Sequence, residues 1–167
     1  MFNIEQFNFG GIGVVFASTV YEYAKRFMDA YAAVMRPLSE ELGMARPAVD
    51  ILLFLANNPE HPTARDICAY RRMKPTIVSF HLDNLVREGY LERQPVPGDR
   101  RKQRLVCTGK AEVVIRRGRE FQERFYAQMV RGLTREELDG CLRCFAVMER
   151  NLSAQAEENP RKEEEAL

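Results

Sequence analysis

The hydrophobic period of the chain changes abruptly at Gly89, and few folds accommodate what lies on either side of that point. Before it, TIVSFHLDNLVRE places Val78, Leu82 and Leu85 on one helical face at about 100° per residue, with Thr76, Phe80, Asp83 and Arg87 on the opposite one. After it, Tyr90 to Arg93 and KQRLVC read as two short strands around the proline- and glycine-rich turn PVPGDRR. The helix therefore ends against a hairpin, and its apolar face must be covered by whatever precedes it.

Three helical segments precede it. From Ser18 to Leu42 the residues Tyr23, Phe27, Tyr31, Val34, Met35, Leu38 and Leu42 recur at three- and four-residue steps, and Gly43 supplies a stop. Pro47 suits a first helical turn, and AVDILLFLANN behind it is apolar enough to be buried on most sides. Thr63 is placed to cap TARDICAY, with Asp66 near its positive end, and RRMKP forms a turn before Lys74-Pro75-Thr76 opens the helix already described. Beyond the hairpin, Thr108 opens a long helix to about Gly132, striped by Val114, Ile115, Phe121, Phe125 and Met129. Thr134 and Glu137 form the capping box of a last helix. The expected fold is mainly α with a small β wing. It divides into an arm at 1–16, a long helix at 17–45, a winged helix-turn-helix domain at 46–108, two helices at 109–152 and a flexible acidic tail at 153–167.

Composition narrows the function. With 46% apolar and 29% charged residues the chain is an ordinary globular protein. The net charge of +1 hides an uneven distribution: residues 71–110 hold ten Lys and Arg against four acids, while Glu157, Glu158, Glu163, Glu164 and Glu165 load the tail. No apolar run reaches the roughly 18 residues of a spanning helix, and Glu5 with no basic start argues against a secretory signal, so a cytoplasmic location is expected. Cys68, Cys107, Cys141 and Cys144 form no dense framework and are expected as small buried thiols. Cys141 and Cys144 alone do not make a zinc site, and GGIG lacks the Lys-Ser/Thr pair of a phosphate loop, so neither metal nor cofactor is expected. His81, flanking the buried face, reads as a core imidazole. No catalytic Ser/His/Asp set is legible, and the protein is not expected to be an enzyme.

The stretch TIVSFHLDNLVREGYLERQPVPGDRRKQRLVCT resembles the MarR family, the multiple antibiotic resistance regulators, with Ser79, Leu85, Gly89, Arg93, Asp99, Arg101 and Thr108 in register with that family's pattern. The similarity covers roughly residues 18–150. It implies a homodimer whose first and last helices (within 17–45 and 109–152) interlock, presenting two winged domains to a pseudo-palindromic double-stranded operator. Such proteins usually repress transcription and release DNA when a small aromatic or redox signal arrives. Departures are Arg71 and Arg72 where the turn commonly has an apolar residue and Gly, Cys107 for an apolar residue, Ala111 for Gly, and Phe80 for a basic residue.

On this reading the outward helix face enters the major groove. Lys74, Thr76, Ser79, Phe80, Asn84 and Arg87 are its candidate contacts, Phe80 through thymine methyl groups. Five basic residues, Arg93, Arg100, Arg101, Lys102 and Arg104, sit on or beside the hairpin. Arg100 and Arg101 suit a narrow minor groove, whereas Lys102 and Arg104 suit phosphates. In the family the Asp99 carboxylate braces the wing, and Arg93 is its nearest candidate partner. An effector is expected in an apolar pocket near Met28, Tyr31, Met35 and Phe54. The competing expectation is a winged domain that binds protein rather than specific DNA, prompted by Phe80.

Overall fold

The computed structural model describes the backbone of residues 12–96 and 99–158, with side chains over 18–96 and 103–154. The element order is α1 (Ile12–Leu42), α2 (Arg46–Asn57), α3 (Ala64–Arg71), α4 (Pro75–Arg87), β1 (Leu91–Val96), β2 (Asp99–Cys107), a 3₁₀ turn (Gly109–Ala111), α5 (Glu112–Met129) and α6 (Arg135–Glu158). By internal contacts the chain divides into two compact units, Met1–Phe125 and Tyr126–Leu167.

In the first unit α2 is the centre. Ala48, Val49 and Ile51 to Leu55 are all buried, so α2 shows no solvent face along its middle. Around it pack Met35 and Leu38 of α1, Ile67 of α3, Val78, Leu82 and Leu85 of α4, Leu91 and Leu105 of the hairpin, and Val114 and Ile115 of α5. Pro37 lies inside α1, where a proline costs about 3 kcal/mol. Its neighbours Met35 and Leu38 are fully buried against α2, and burial of two such side chains offsets a cost of that size at about 1.5–3 kcal/mol each. Arg117 of α5 fastens the end of α1, its Nε and Nη2 donating to the two Glu41 oxygens at 2.8 and 3.0 Å. That bond holds the Glu41 carboxyl below its ordinary range.

The Thr134/Glu137 capping box has its expected geometry, and the Thr63 cap proves to be a capping box too. The Asp66 N–H donates to Thr63 Oγ1 at 3.2 Å while the Thr63 N–H donates to Asp66 Oδ2 at 2.9 Å. In the second unit the Glu137 N–H donates to Thr134 Oγ1 at 3.3 Å and the Thr134 N–H to Glu137 Oε2 at 2.7 Å. Thr108 behaves differently. It caps no helix; its hydroxyl donates to the Gly89 carbonyl at 2.7 Å and its N–H to the Tyr90 carbonyl at 3.0 Å, closing the neck of the hairpin.

Two expected boundaries shift. Helix α1 begins at Ile12, so residues 12–16 are helical and only 1–11 of the expected arm lie outside the described residues. Phe16, Val20, Tyr23 and Phe27 continue the three- and four-residue steps, and once a helix is nucleated each added residue gains a bond, which carries it through Gly13. Helix α6 runs to Glu158, so residues 153–158 of the expected flexible tail are helical. SAQAEE is built largely from good helix formers.

The turn between α3 and α4 is strained. Arg72 has φ 50° and ψ 34°, the left-handed conformation that costs a residue with a β-carbon roughly 1–2 kcal/mol. Arg72→Gly is therefore expected to raise unfolding stability by about 1 kcal/mol, measured by urea titration. The opposite sign is expected at Gly118, where α5 crosses α2: a β-carbon there would lie 2.5 Å from Leu53 Cδ2, and Leu53 is itself buried. Overpacking costs about 1–3 kcal/mol and outweighs the roughly 1 kcal/mol that alanine gains within a helix, so Gly118→Ala should lower the urea midpoint.

Candidate nucleic-acid interface

Helix α4 turns Val78, Leu82 and Leu85 into the core and leaves the other side to solvent. Pro75 at its first turn and Lys74 before it, in extended conformation, start the helix without any side-chain cap. The Ile77 and Val78 N–H groups donate to the Lys74 carbonyl at 3.0 and 3.1 Å, and Lys74 and Thr76 are exposed beside them. Ser79, Phe80 and Arg87 are exposed on the same element and Asn84 is half-buried beside them. Ile77, which periodicity alone had not singled out, is exposed here too. So is Arg72, held on the approach to α4 by its left-handed backbone.

The hairpin is held close to α4. Leu91↔Cys107 through Pro95↔Gln103 pair in regular antiparallel register, and the Leu105 N–H donates to the Pro62 carbonyl, so the loop before α3 lies along β2. Lys110 Nζ donates to the Glu88 carbonyl at 2.8 Å and sits 4.4 Å from the Tyr90 ring centre. At Pro95/Val96 the register jumps: Val96 pairs with Asp99, and Arg100, Arg101 and Lys102 fall between the paired positions. A bulge of this kind bends its strand and re-aims side chains. The side chains of residues 99–102 lie outside the described residues; Arg104 is exposed on β2.

Arg93 has a partner on α4 that the sequence did not point to. Its Nη2 donates to Asp83 Oδ1 at 2.6 Å, tying β1 to the recognition helix α4, while the side chain of Asp99, the partner that the sequence suggested, lies outside the described residues. Strand alternation explains the choice: Leu91 faces the core, and Arg93, two residues on, shares the side of the strand that meets α4. The bond also places a guanidinium against Asp83, the carboxylate on the outward face of α4. The result is a surface of hydroxyls and cations around a small apolar centre.

The other expectations fare differently. Met35 and Phe54, 1% and 2% exposed, are core residues and not an effector pocket, as apolar residues at helical spacing on packed elements usually are. Met28 is exposed, and Tyr31 accepts a hydrogen bond from Gln122 at 2.8 Å and packs edge-on to Phe125. A cleft of about 450 Å³ lies elsewhere, between α3, α4 and the hairpin, with Cys68, Val78, Ser79, Leu82 and Arg93 in its lining. His81 is half-buried rather than a core imidazole, its ring edge-on to Phe80 at 5.2 Å. Cys68 and Cys107 are half-buried, and burial pushes the Cys107 thiol up. Cys141 and Cys144 are exposed on α6, correcting the expectation of buried thiols. Spacing within one helix reveals a shared face but not what covers it. Among the described residues no three His, Cys, Asp or Glu side chains gather as a metal site would require, and no helix is long and apolar enough to cross a membrane.

Three helices ending in a recognition helix, followed by a basic two-stranded hairpin, define a winged helix-turn-helix protein. Residues 42–102 match the MarR family. The whole fold is similar to that of the transcriptional regulator PA3341, at 24% identity over 83% of this chain and 98% of that one, with a TM-score of 0.69. It is also similar to a MarR family regulator from Silicibacter pomeroyi, at 22% identity over 77% and 86% of the two chains, TM-score 0.68. A MarR family regulator from Listeria monocytogenes, complexed with 26mer DNA, shares the fold at 14% identity over 81% and 89%, TM-score 0.67. Family match and fold together show a winged helix-turn-helix chain that is similar to the MarR family over residues 42–102.

The Asp83–Arg93 pair is more than a third exposed on both sides, so its contribution to stability is small, about 0.2–1 kcal/mol. A double-mutant cycle with Asp83→Ala and Arg93→Ala, followed by urea unfolding, is expected to return a coupling in that range that shrinks as salt is raised.

Proposed function

We propose that this protein is a homodimeric, sequence-specific DNA-binding transcriptional regulator, a repressor released by a small-molecule ligand. The observation that carries the reading is the outward face of α4, with Thr76 and Ser79 between the cations Arg72, Lys74 and Arg87, beside a hairpin whose bulge holds Arg100, Arg101 and Lys102. Short hydroxyls and cations on a helix the width of a major groove suit base edges and phosphates, and arginine on a hairpin tip suits a narrow minor groove. The Listeria monocytogenes protein that shares the fold was solved with 26mer DNA, which supports the same use.

The dimer is supported by apolar surface that each unit leaves uncovered. Val20, Tyr21 and Met28 of α1 are exposed in the first, and Leu142, Phe145, Val147 and Leu152 of α6 in the second. Contiguous apolar patches of this sort mark interfaces. Repression and release by a small aromatic effector are what the MarR resemblance adds. The cleft beside Ser79 offers such a molecule a place from which it would compete with DNA.

A titration of the purified protein against DNA from upstream of its own gene tests the reading. Sizing should give two chains, and log affinity should fall linearly with log salt, by about 0.9 for each phosphate neutralised. Arg101→Ala should weaken binding by about 1–3 kcal/mol with an unchanged melting temperature. A wild-type affinity in that variant would take Arg101 out of the interface, and weak binding to every sequence alike would favour the protein-interaction alternative.

A further inference from the structure

Helix α4 carries more apolar side chains than its core face uses. Val78, Leu82 and Leu85 meet the core, yet Ile77 and Phe80 are also apolar and stand 44% and 61% exposed. With Asn84 they follow the i, i+3, i+7 steps of one ridge on the side of the helix that the DNA-binding reading turns toward the groove. The His81 ring packs edge-on against Phe80, with ring centres 5.2 Å apart and planes at 79°, which restricts how the phenyl ring leans.

The surroundings of this ridge select its partner. Arg72, Lys74 and Arg87 are exposed around it, Thr76 and Ser79 add hydroxyls, and the Asp83 carboxylate is matched by Arg93 at 2.6 Å. A frame of cations enclosing a small apolar centre suits a polyanion whose charges run along its edges and whose floor carries isolated apolar groups. Duplex DNA has that layout: phosphates border the major groove, and the thymine C5-methyl is the apolar group displayed within it. A phenyl or sec-butyl group makes no hydrogen bond, so it cannot distinguish bases by donors and acceptors; it distinguishes a methyl from its absence.

We infer that Phe80 and Ile77 are specificity-determining residues that read thymine C5-methyl groups, so that each operator half-site carries thymine where α4 enters the groove. The inference rests on the DNA-binding reading above and adds the chemistry being read. It follows that a pyrimidine with a C5-methyl group, thymine or 5-methylcytosine, satisfies these contacts, whereas uracil does not.

The test uses the full-length protein and a random duplex library. After selection, each thymine of the enriched duplex is replaced in turn by deoxyuridine, which removes one methyl and leaves base pairing and every hydrogen-bonding group intact. Expected is a loss of about fourfold in affinity at one or two thymines per half-site, the equivalent of ~0.8 kcal/mol for one methyl-sized group left unburied. In Phe80→Ala or Ile77→Ala, whichever side chain serves that methyl, affinity for the thymine duplex should fall to the uracil level and the difference between duplexes should disappear; Phe80→Leu should retain part of it. Both positions are exposed, and the deoxyuridine series itself needs no variant, so the outcome does not depend on how a mutant folds. Equal affinity for every deoxyuridine duplex would overturn the inference while leaving the DNA-binding reading in place. Failure to enrich any duplex would overturn that reading, and the inference with it.

Discussion

Nearly everything in the first unit depends on the burial of α2. A helix whose residues 48, 49 and 51–55 are all excluded from solvent has no preferred outside, so its neighbours must cover it from every direction. That requirement draws α1, α3, α4, the hairpin and α5 around one axis. Gly118 lets α5 approach closely enough to touch Leu53, and Arg119 follows by donating to the Ala56 carbonyl at 2.9 Å and to Asn57 Oδ1 at 3.1 Å, satisfying the C-terminal end of α2. The Arg71 guanidinium over the Phe54 ring at 5.0 Å closes the side near the turn. The recognition helix is thus positioned chiefly by its apolar face, and the Arg93–Asp83 bond adds a single weak tie on the outward side.

The hairpin is fixed at its base. Thr108, Lys110 and the bond from Leu105 to Pro62 secure its base to the ends of α4 and to the loop before α3. Arg93 adds one bond from β1 to Asp83, at the rim of the recognition face. Beyond Pro95 the ladder loses its regular register where the basic residues are concentrated. Rigidity near the core with departure from the ladder at the tip suits a groove contact, because the base sets direction while the bulge re-aims side chains. The Asp83–Arg93 bond has an electrostatic consequence as well, since an unmatched carboxylate on the outward face would repel phosphate.

Much of this was legible beforehand for local reasons. Period placed Val78, Leu82 and Leu85 in the core, the Thr63 cap and the Thr134 box are set by residues three apart, and the change of period at Gly89 marked the hairpin. What was misjudged depended on longer reach. Residues 1–16 read as an arm, yet α1 extends back to Ile12 because propagation is easier than nucleation. The exposure of Cys141 and Cys144 and the burial of Met35 and Phe54 each turned on what lies across from the residue. Arg72 carried a faint signal in its departure from glycine, but its left-handed backbone shows only in the structure.

The amino-acid sequence by itself determined the kind of elements, their order, the face each helix buries and the concentration of positive charge at the hairpin. These follow from spacing and chemistry within about four residues, or within a single strand pair. Tertiary structure decided the rest: that Arg93 reaches α4, that Thr108 locks the hairpin's base rather than capping a helix, that Gly118 marks a close helix crossing, and that Ile77 joins Phe80 on an uncovered ridge. Each of these outcomes concerns residues brought together from distant positions, or a surface left bare by packing elsewhere, and hydrophobic burial selects such partners by shape and distance in space, for which order along the chain offers no measure.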